Sequence, residues 1–132
     1  MTYIVAYRKA ADQYTTYSLS APEGSTELCT LDGVTYTAIS EGAELARQAE
    51  QIAASVQIAV IDDELRAKIC AASPHVALIQ KRVRDKIAEL YSIHDELKLL
   101  RTAPSPEYEM YNEHAEACRQ WGREQKALLG LG

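Results

Sequence analysis

Residues 26–39, "TELCTLDGVTYTAI", decide how this chain begins to fold. Asp32-Gly33 separates two runs of alternating apolar and polar residues. A two-residue type I′ loop needs positive φ at both central positions, which Gly adopts freely and Asp tolerates. Cys29 and Leu31 alternate on one run, and Val34, Tyr36 and Ala38 on the other, so each can offer an apolar face. This is the signature of an antiparallel hairpin.

Upstream, "TYIVAYR" (2–8) and "YTTYSLS" (14–20) are rich in Tyr, Val, Ile and Thr, with the short polar connector "KAADQ" between them. "APEGS" (21–25) is a turn by composition. Residues 1–40 are therefore expected to form an antiparallel β-meander of three or four strands. So few short strands are not stable uncovered, and the rest of the chain must supply a cover.

Downstream, Leu45, Ala49, Ile52, Val56 and Ala59 recur at helical spacing, which predicts an amphipathic helix within residues 41–72 lying on the sheet. The stripe loses phase at "IDDEL" (61–65), where Asp62 and Asp63 suit an N-cap, and "VQIAVI" (56–61) reads equally well as a strand. "SPHVALIQKRVRDKIAELY" (73–91) opens with Ser73 as N-cap and Pro74 at the first helical position. Val76, Val83, Leu90 and Leu97 recur every seven residues, with Ile79, Ile93 and Leu100 three places after three of them. This seam is expected to serve packing within the chain rather than oligomerisation. Pro104 and Pro106 then break the helix, and Ser105-Pro106 repeats the starting device. The last helix carries Tyr108, Tyr111, Ala115, Cys118 and Leu129 on one face, diluted by Gly122 and Gln125; it is expected to pack loosely or to complete its burial against a partner. Gly130 is a natural C-cap. The fold class is thus α+β: the meander (1–40), then three or four helices (41–132) as a helical hairpin or small bundle, expected to form one continuous domain with the meander.

The 132 residues carry a formal net charge of -5, which argues against general binding to nucleic acid or anionic membranes. Residues 73–101 run against that balance, with six cations (Lys81, Arg82, Arg84, Lys86, Lys98, Arg101) and four carboxylates. Three cysteines, Cys29, Cys70 and Cys118, lie far apart without the paired spacing of zinc or redox motifs. No basic start with a long apolar run and no membrane-length apolar window occurs, so the expected location is a cytoplasm, or a particle assembled there.

Chemistry is most strongly suggested by "YSIHDELKLLR" (91–101), where His94, Asp95 and Glu96 adjoin. The spacing Ser92-x-x-Asp95 is that of a capping box, which explains these residue types as the start of a helix. If instead the helix from Ser73 runs straight through, His94 lies beside Leu90 and Leu97 as a packing residue. The consecutive carboxylates of "IDDEL" point 100° apart on a helix and cannot converge as a dyad. His114 and Cys118 can share a helical face, but two ligands do not make a zinc site. "KRVRDK" (81–86) spreads its cations around a helix without interleaved aromatics. No catalytic residue, metal ligand or cofactor is assigned. The eight Tyr and single Trp, in a chain with no Phe, suit contact surfaces, since the ring supplies area while the hydroxyl tolerates water. Tyr14, Tyr17, Tyr108, Tyr111 and Trp121, with the cations Arg82 and Lys86, are the expected partner-binding residues.

Residues 91–131 resemble the end of small accessory proteins that bacteriophages encode near their tail-fibre genes, on the strength of Tyr91, Ser92, Asp95, Glu96, Leu97, Trp121, Gly122 and Lys126. Ser92 stands where those proteins often have Pro, and the N-terminal strands match no pattern of that kind. The resemblance implies a structural or assembly role in a phage tail. With the half-apolar surfaces above, the expected function is a non-enzymatic tail or baseplate component or assembly factor, whose partners are other protein subunits, as a homo-oligomer or with phage tail proteins. The alternative is a phage or bacterial regulator that binds an anionic small ligand or a host enzyme through the basic segment 81–101.

Overall fold

A computed structural model gives the fold and describes residues 2–132. Asp32 and Gly33 have φ of +49° and +80°, and Leu31 pairs with Val34. The type I′ turn is therefore formed, joining β4 (Thr26–Leu31) to β5 (Val34–Ile39). A bulge between Glu27 and Cys29 shifts the phase of β4. The extra residue, Leu28, is 1% exposed and packs in the same cluster as Cys29 and Leu31, which strict alternation would not permit.

β1 (Tyr3–Tyr7) pairs along its whole length with β5, from Tyr3 opposite Ile39 to Tyr7 opposite Thr35. The intervening residues do not extend this sheet. Ala10–Ala11 (β2) and Thr16–Tyr17 (β3) form a separate two-stranded ribbon. The Asp12 carboxylate organises its turn, accepting from the Tyr14 and Thr15 amides and from the Tyr17 hydroxyl. Those three bonds hold Asp12 below the usual carboxylate range, the Tyr14 amide contributing most.

The expected helix over residues 41–72 is corrected by the structure. Residues 43–49 are irregular, α1 (Glu50–Ala53) is a single turn, and β6 (Gln57–Ile58) pairs with β1 at the sheet edge. Of the five residues in the proposed stripe only Ile52 is fully buried. The free edge of β1 captures 57–58, and an extended partner is worth more to that edge than helix propensity is to the segment. Segment 43–55 is tied at one end to β1 and at the other to the residue after it: Tyr3 Oη donates to the Ala43 carbonyl, and the Arg8 amide donates to Ser55 Oγ. The sheet order is β4-β5-β1-β6, all antiparallel, and helices follow, so the α+β class stands.

Helical structure begins where Asp62 accepts from the Leu65 amide at 2.7 Å and starts α2 (Asp63–Ala72). α3 (Pro74–Ala88) starts at Ser73-Pro74 as expected, but Ser73 Oγ is buried and makes no capping bond. α3 stops at Glu89, and α4 (Ile93–Thr102) begins with the complete capping box: Ser92 Oγ accepts from the Asp95 amide, and Asp95 Oδ2 accepts from the Ser92 amide. The reading in which one helix runs through residue 92 is excluded. α5 (Pro106–Leu128) is capped by Ser105, whose hydroxyl accepts from the Tyr108 amide.

The core has two clusters. One joins the sheet to α2, the start of α3 and the C-terminus through Ile4, Leu28, Ala38, Ile69, Val76 and Leu131. The other joins α3, α4 and α5 through Ile87, Tyr111, Ala115 and Cys118, with Val83, Tyr91, Leu99 and Tyr108 around it. Leu131 reaches the first cluster through a Schellman turn. Gly130 has φ +79°, the Leu131 amide donates to the Lys126 carbonyl, and the Gly130 amide donates to that of Ala127. What reads as a short tail is a core anchor.

Ser92→Ala is expected to lower stability by about 1 kcal/mol, the usual loss for a capping hydroxyl. Ser73→Ala, at a hydroxyl with no partner, is expected to be neutral or slightly stabilising in the same urea titration. The Ser92 amide holds the Asp95 carboxyl below its usual range. A depressed carboxyl stabilises above its unfolded pKa of about 4 and loses that contribution as pH falls through its lower folded value. The melting-temperature gap between wild type and Asp95→Asn should therefore close on acidification.

Candidate functional site

Three of the expected partner-binding residues turn inward. Tyr111 is 8% exposed and meets Tyr91 edge to face, with ring centroids 5.0 Å apart. Burial, and then Glu96 beside it, pushes the Tyr111 hydroxyl above its ordinary value. Tyr108 is half-buried against the same cluster. Trp121 is half-buried with Lys86 Nζ 4.7 Å from its ring centroid, so these two expected residues are engaged with each other. Tyr17 is held by Asp12, whereas Tyr14 is 89% exposed and Arg82 is exposed on α3. The apolar face expected to remain open on residues 106–129 is covered: Tyr111, Ala115, Cys118 and Gly122 are all buried. α3 and α4 supply that cover.

The close approach of α3 and α5 depends on Gly122, read from the sequence as a mere dilution of the stripe. A Cβ there would lie 2.6 Å from Val83 Cγ2. Beside this contact the two helices leave a groove of about 360 Å³ with Ile79, Val83 and Gly122 at its floor. Its walls are cationic. Arg84 comes from α3, and Arg119, Arg123 and Lys126 come from α5, with Gln80 beside them. Arg123 is fixed by Glu116 at 2.6 Å and by Gln120, and Arg119 lies 3.7 Å from Glu116. The Arg123 bond, more than Arg119, holds Glu116 below the usual carboxylate range. Arg84 and Lys126 are in no ion pair among the described residues. Of the basic run flagged in the sequence only Arg84 enters this groove. The spacing of Arg119, Arg123 and Lys126, on one helical face, was a readable signal for the rest.

A second surface lies on α4. Ile93, Leu97 and Leu100 share one face of this helix, since they are spaced by four and three residues. They are 74%, 52% and 56% exposed. Leu99 and Glu96 face the helical cluster instead and are half-buried. The stripe adjoins α3: Ile93 and Glu96 line a small crevice with Arg84, Ile87 and Tyr91.

His94 and Asp95 are exposed, and Asp95 is spent in the capping box. His114 and Cys118 do touch, at 3.7 Å, but His114 Nε2 also lies 3.2 Å from the Lys86 carbonyl. A carbonyl only accepts, so Nε2 carries the proton. That carbonyl is in the last turn of α3, where Leu90 bonds to Ile87 instead, and His114 satisfies it. Among the described residues no group of three or more His, Cys, Asp or Glu could hold a metal ion. No described helix is long and apolar enough to cross a membrane.

No family model, curated protein or solved structure matches the chain.

Gly122→Ala is expected to destabilise the protein in urea titrations. Overpacking costs about 1–3 kcal/mol, against a gain of about 1 kcal/mol in helix propensity. Adding Val83→Ala should relieve the clash, so that the two substitutions couple favourably in a double-mutant cycle.

Proposed function

We propose that this protein acts by binding other protein subunits, without catalysing a reaction, through the apolar face of α4. The observation that carries this reading is the row Ile93, Leu97 and Leu100, three large aliphatic side chains left more than half exposed while the neighbouring Leu99 is folded inward. Three such side chains on one helical face cost free energy in water and recover it when a complementary apolar surface covers them. The simplest partner is a second copy of the chain, because a twofold axis along α4 would bury both stripes against each other.

The setting we propose is a bacteriophage tail or baseplate, with the protein as a structural component or assembly factor. Support for it comes from the likeness of residues 91–131 to phage tail accessory proteins. The residues that carry the likeness include Leu97 on the apolar stripe and Ser92, Asp95 and Glu96 in the turn that starts α4.

The test is sedimentation of the wild-type chain alone and with the tail proteins encoded beside it. Association in one of these mixtures is expected. Leu97→Asp with Leu100→Asp should weaken it at least tenfold while changing folding stability by no more than about 1 kcal/mol, since both positions are exposed. A wild-type monomer that binds none of those tail proteins would overturn the proposal.

A further inference from the structure

We infer that the groove between α3 and α5 binds an organic phosphate, through Arg84, Arg119, Arg123 and Lys126 at its walls and Ile79, Val83 and Gly122 at its floor. This goes beyond the protein-binding role of α4 and does not rest on it.

Four cations converge here in a chain whose net charge is -5. Glu116, bonded to Arg123 and close to Arg119, is the one carboxylate paired with them among the described residues; Arg84 and Lys126 line the groove in no ion pair, with Asp85 and Glu96 in the neighbouring crevice beside Arg84. Like charges held close together repel, and a multiply charged anion relieves that repulsion. Arg supplies three of the four cations, and its planar fork suits the oxygens of a phosphate. Glu116 and Gln120 already hold the Arg123 guanidinium in place, so less side-chain freedom is lost on binding.

The floor narrows the ligand class. An inorganic ion would leave Ile79 and Val83 in contact with water, whereas an apolar or aromatic body attached to the phosphate would cover them. A volume of about 360 Å³ is that of a small-molecule site, near the lower end of the usual range. It is short for an extended acidic peptide, and the overall negative charge disfavours a nucleic-acid strand.

Titration calorimetry with ADP, pyrophosphate, adenosine and a hexaglutamate peptide tests the assignment, at about 0.15 M salt so that diffuse attraction is screened. ADP is expected to bind, more tightly than pyrophosphate, with no binding of adenosine. Arg84→Gln with Lys126→Gln should raise the ADP dissociation constant at least tenfold without moving the melting temperature. Arg82→Gln, outside the groove, should leave it unchanged. The inference is overturned if ADP does not bind, if the Arg84 and Lys126 variant binds it as well as wild type, or if pyrophosphate or hexaglutamate binds as tightly as ADP.

Discussion

The contact of Gly122 with Val83 is the constraint on which the architecture turns. Without a side chain at 122, α5 can lie close against α3, and these two helices are the elements that bridge the two core clusters. Val76 near the start of α3 belongs to the sheet cluster, and Ile87 near its end to the helical one. α5 runs the other way, from Tyr111 and Cys118 in the helical cluster to Leu131, beyond its C-cap, in the sheet cluster. Neither cluster is large. A four-stranded sheet needs something packed on it, and a three-helix group this short needs more than its own propensity. Pinning α3 to α5 makes each cluster the support of the other. The same close approach sets the floor of the cationic groove, so one missing side chain fixes both stability and surface shape.

The seven-residue apolar repeat has two different fates. Within α3, Val76, Ile79 and Val83 are wholly or partly buried against neighbours. The repeat then crosses the break between α3, which ends at Ala88, and α4, which the Ser92–Asp95 capping box starts. A periodic pattern keeps one face only while the helix is continuous. Leu90 falls in the connection and is 65% exposed, and Ile93, Leu97 and Leu100 emerge on the outside of α4. The sequence expectation of packing within the chain holds for the first half of this seam. The exposed second half is the surface on which the proposed function rests.

Legibility in the sequence followed the range of the interactions involved. The Asp32-Gly33 turn, the Ser-Pro helix starts and the capping box are settled by residues within a few positions of one another, and all were readable. At 56–61 the letters suited a helix or a strand equally, and the choice was not local, because what decides it is the unpaired edge of β1, some fifty residues earlier. Leu45, Ala49 and Val56 hold helical spacing, yet a sheet edge that needs hydrogen bonds outweighs an Ala-rich stripe with little to bury. Leu131 was missed for a similar reason: an apolar residue one place beyond a helix-ending Gly is the expected hydrophobic partner of a Schellman turn, but its target, Ile4, lies at the other end of the chain. The candidate site was legible only in part. Arg119, Arg123 and Lys126 sit on one face of α5 by spacing alone, but nothing local says that Arg84 of α3 stands opposite them.

Arg84 gives the two surfaces a common boundary. It lines the cationic groove, and it lines the crevice where Ile93 begins the apolar stripe. An anion held in the groove would neutralise charge immediately beside the proposed contact surface. Approaching apolar side chains would then desolvate a guanidinium already matched by an anion, and burying an unpaired charge is among the larger costs in protein association. Linkage makes the effect mutual: a partner seated on α4 that lowers the local dielectric strengthens the attraction between Arg84 and the anion. No change of shape is needed for such coupling, since Arg84 lines both surfaces.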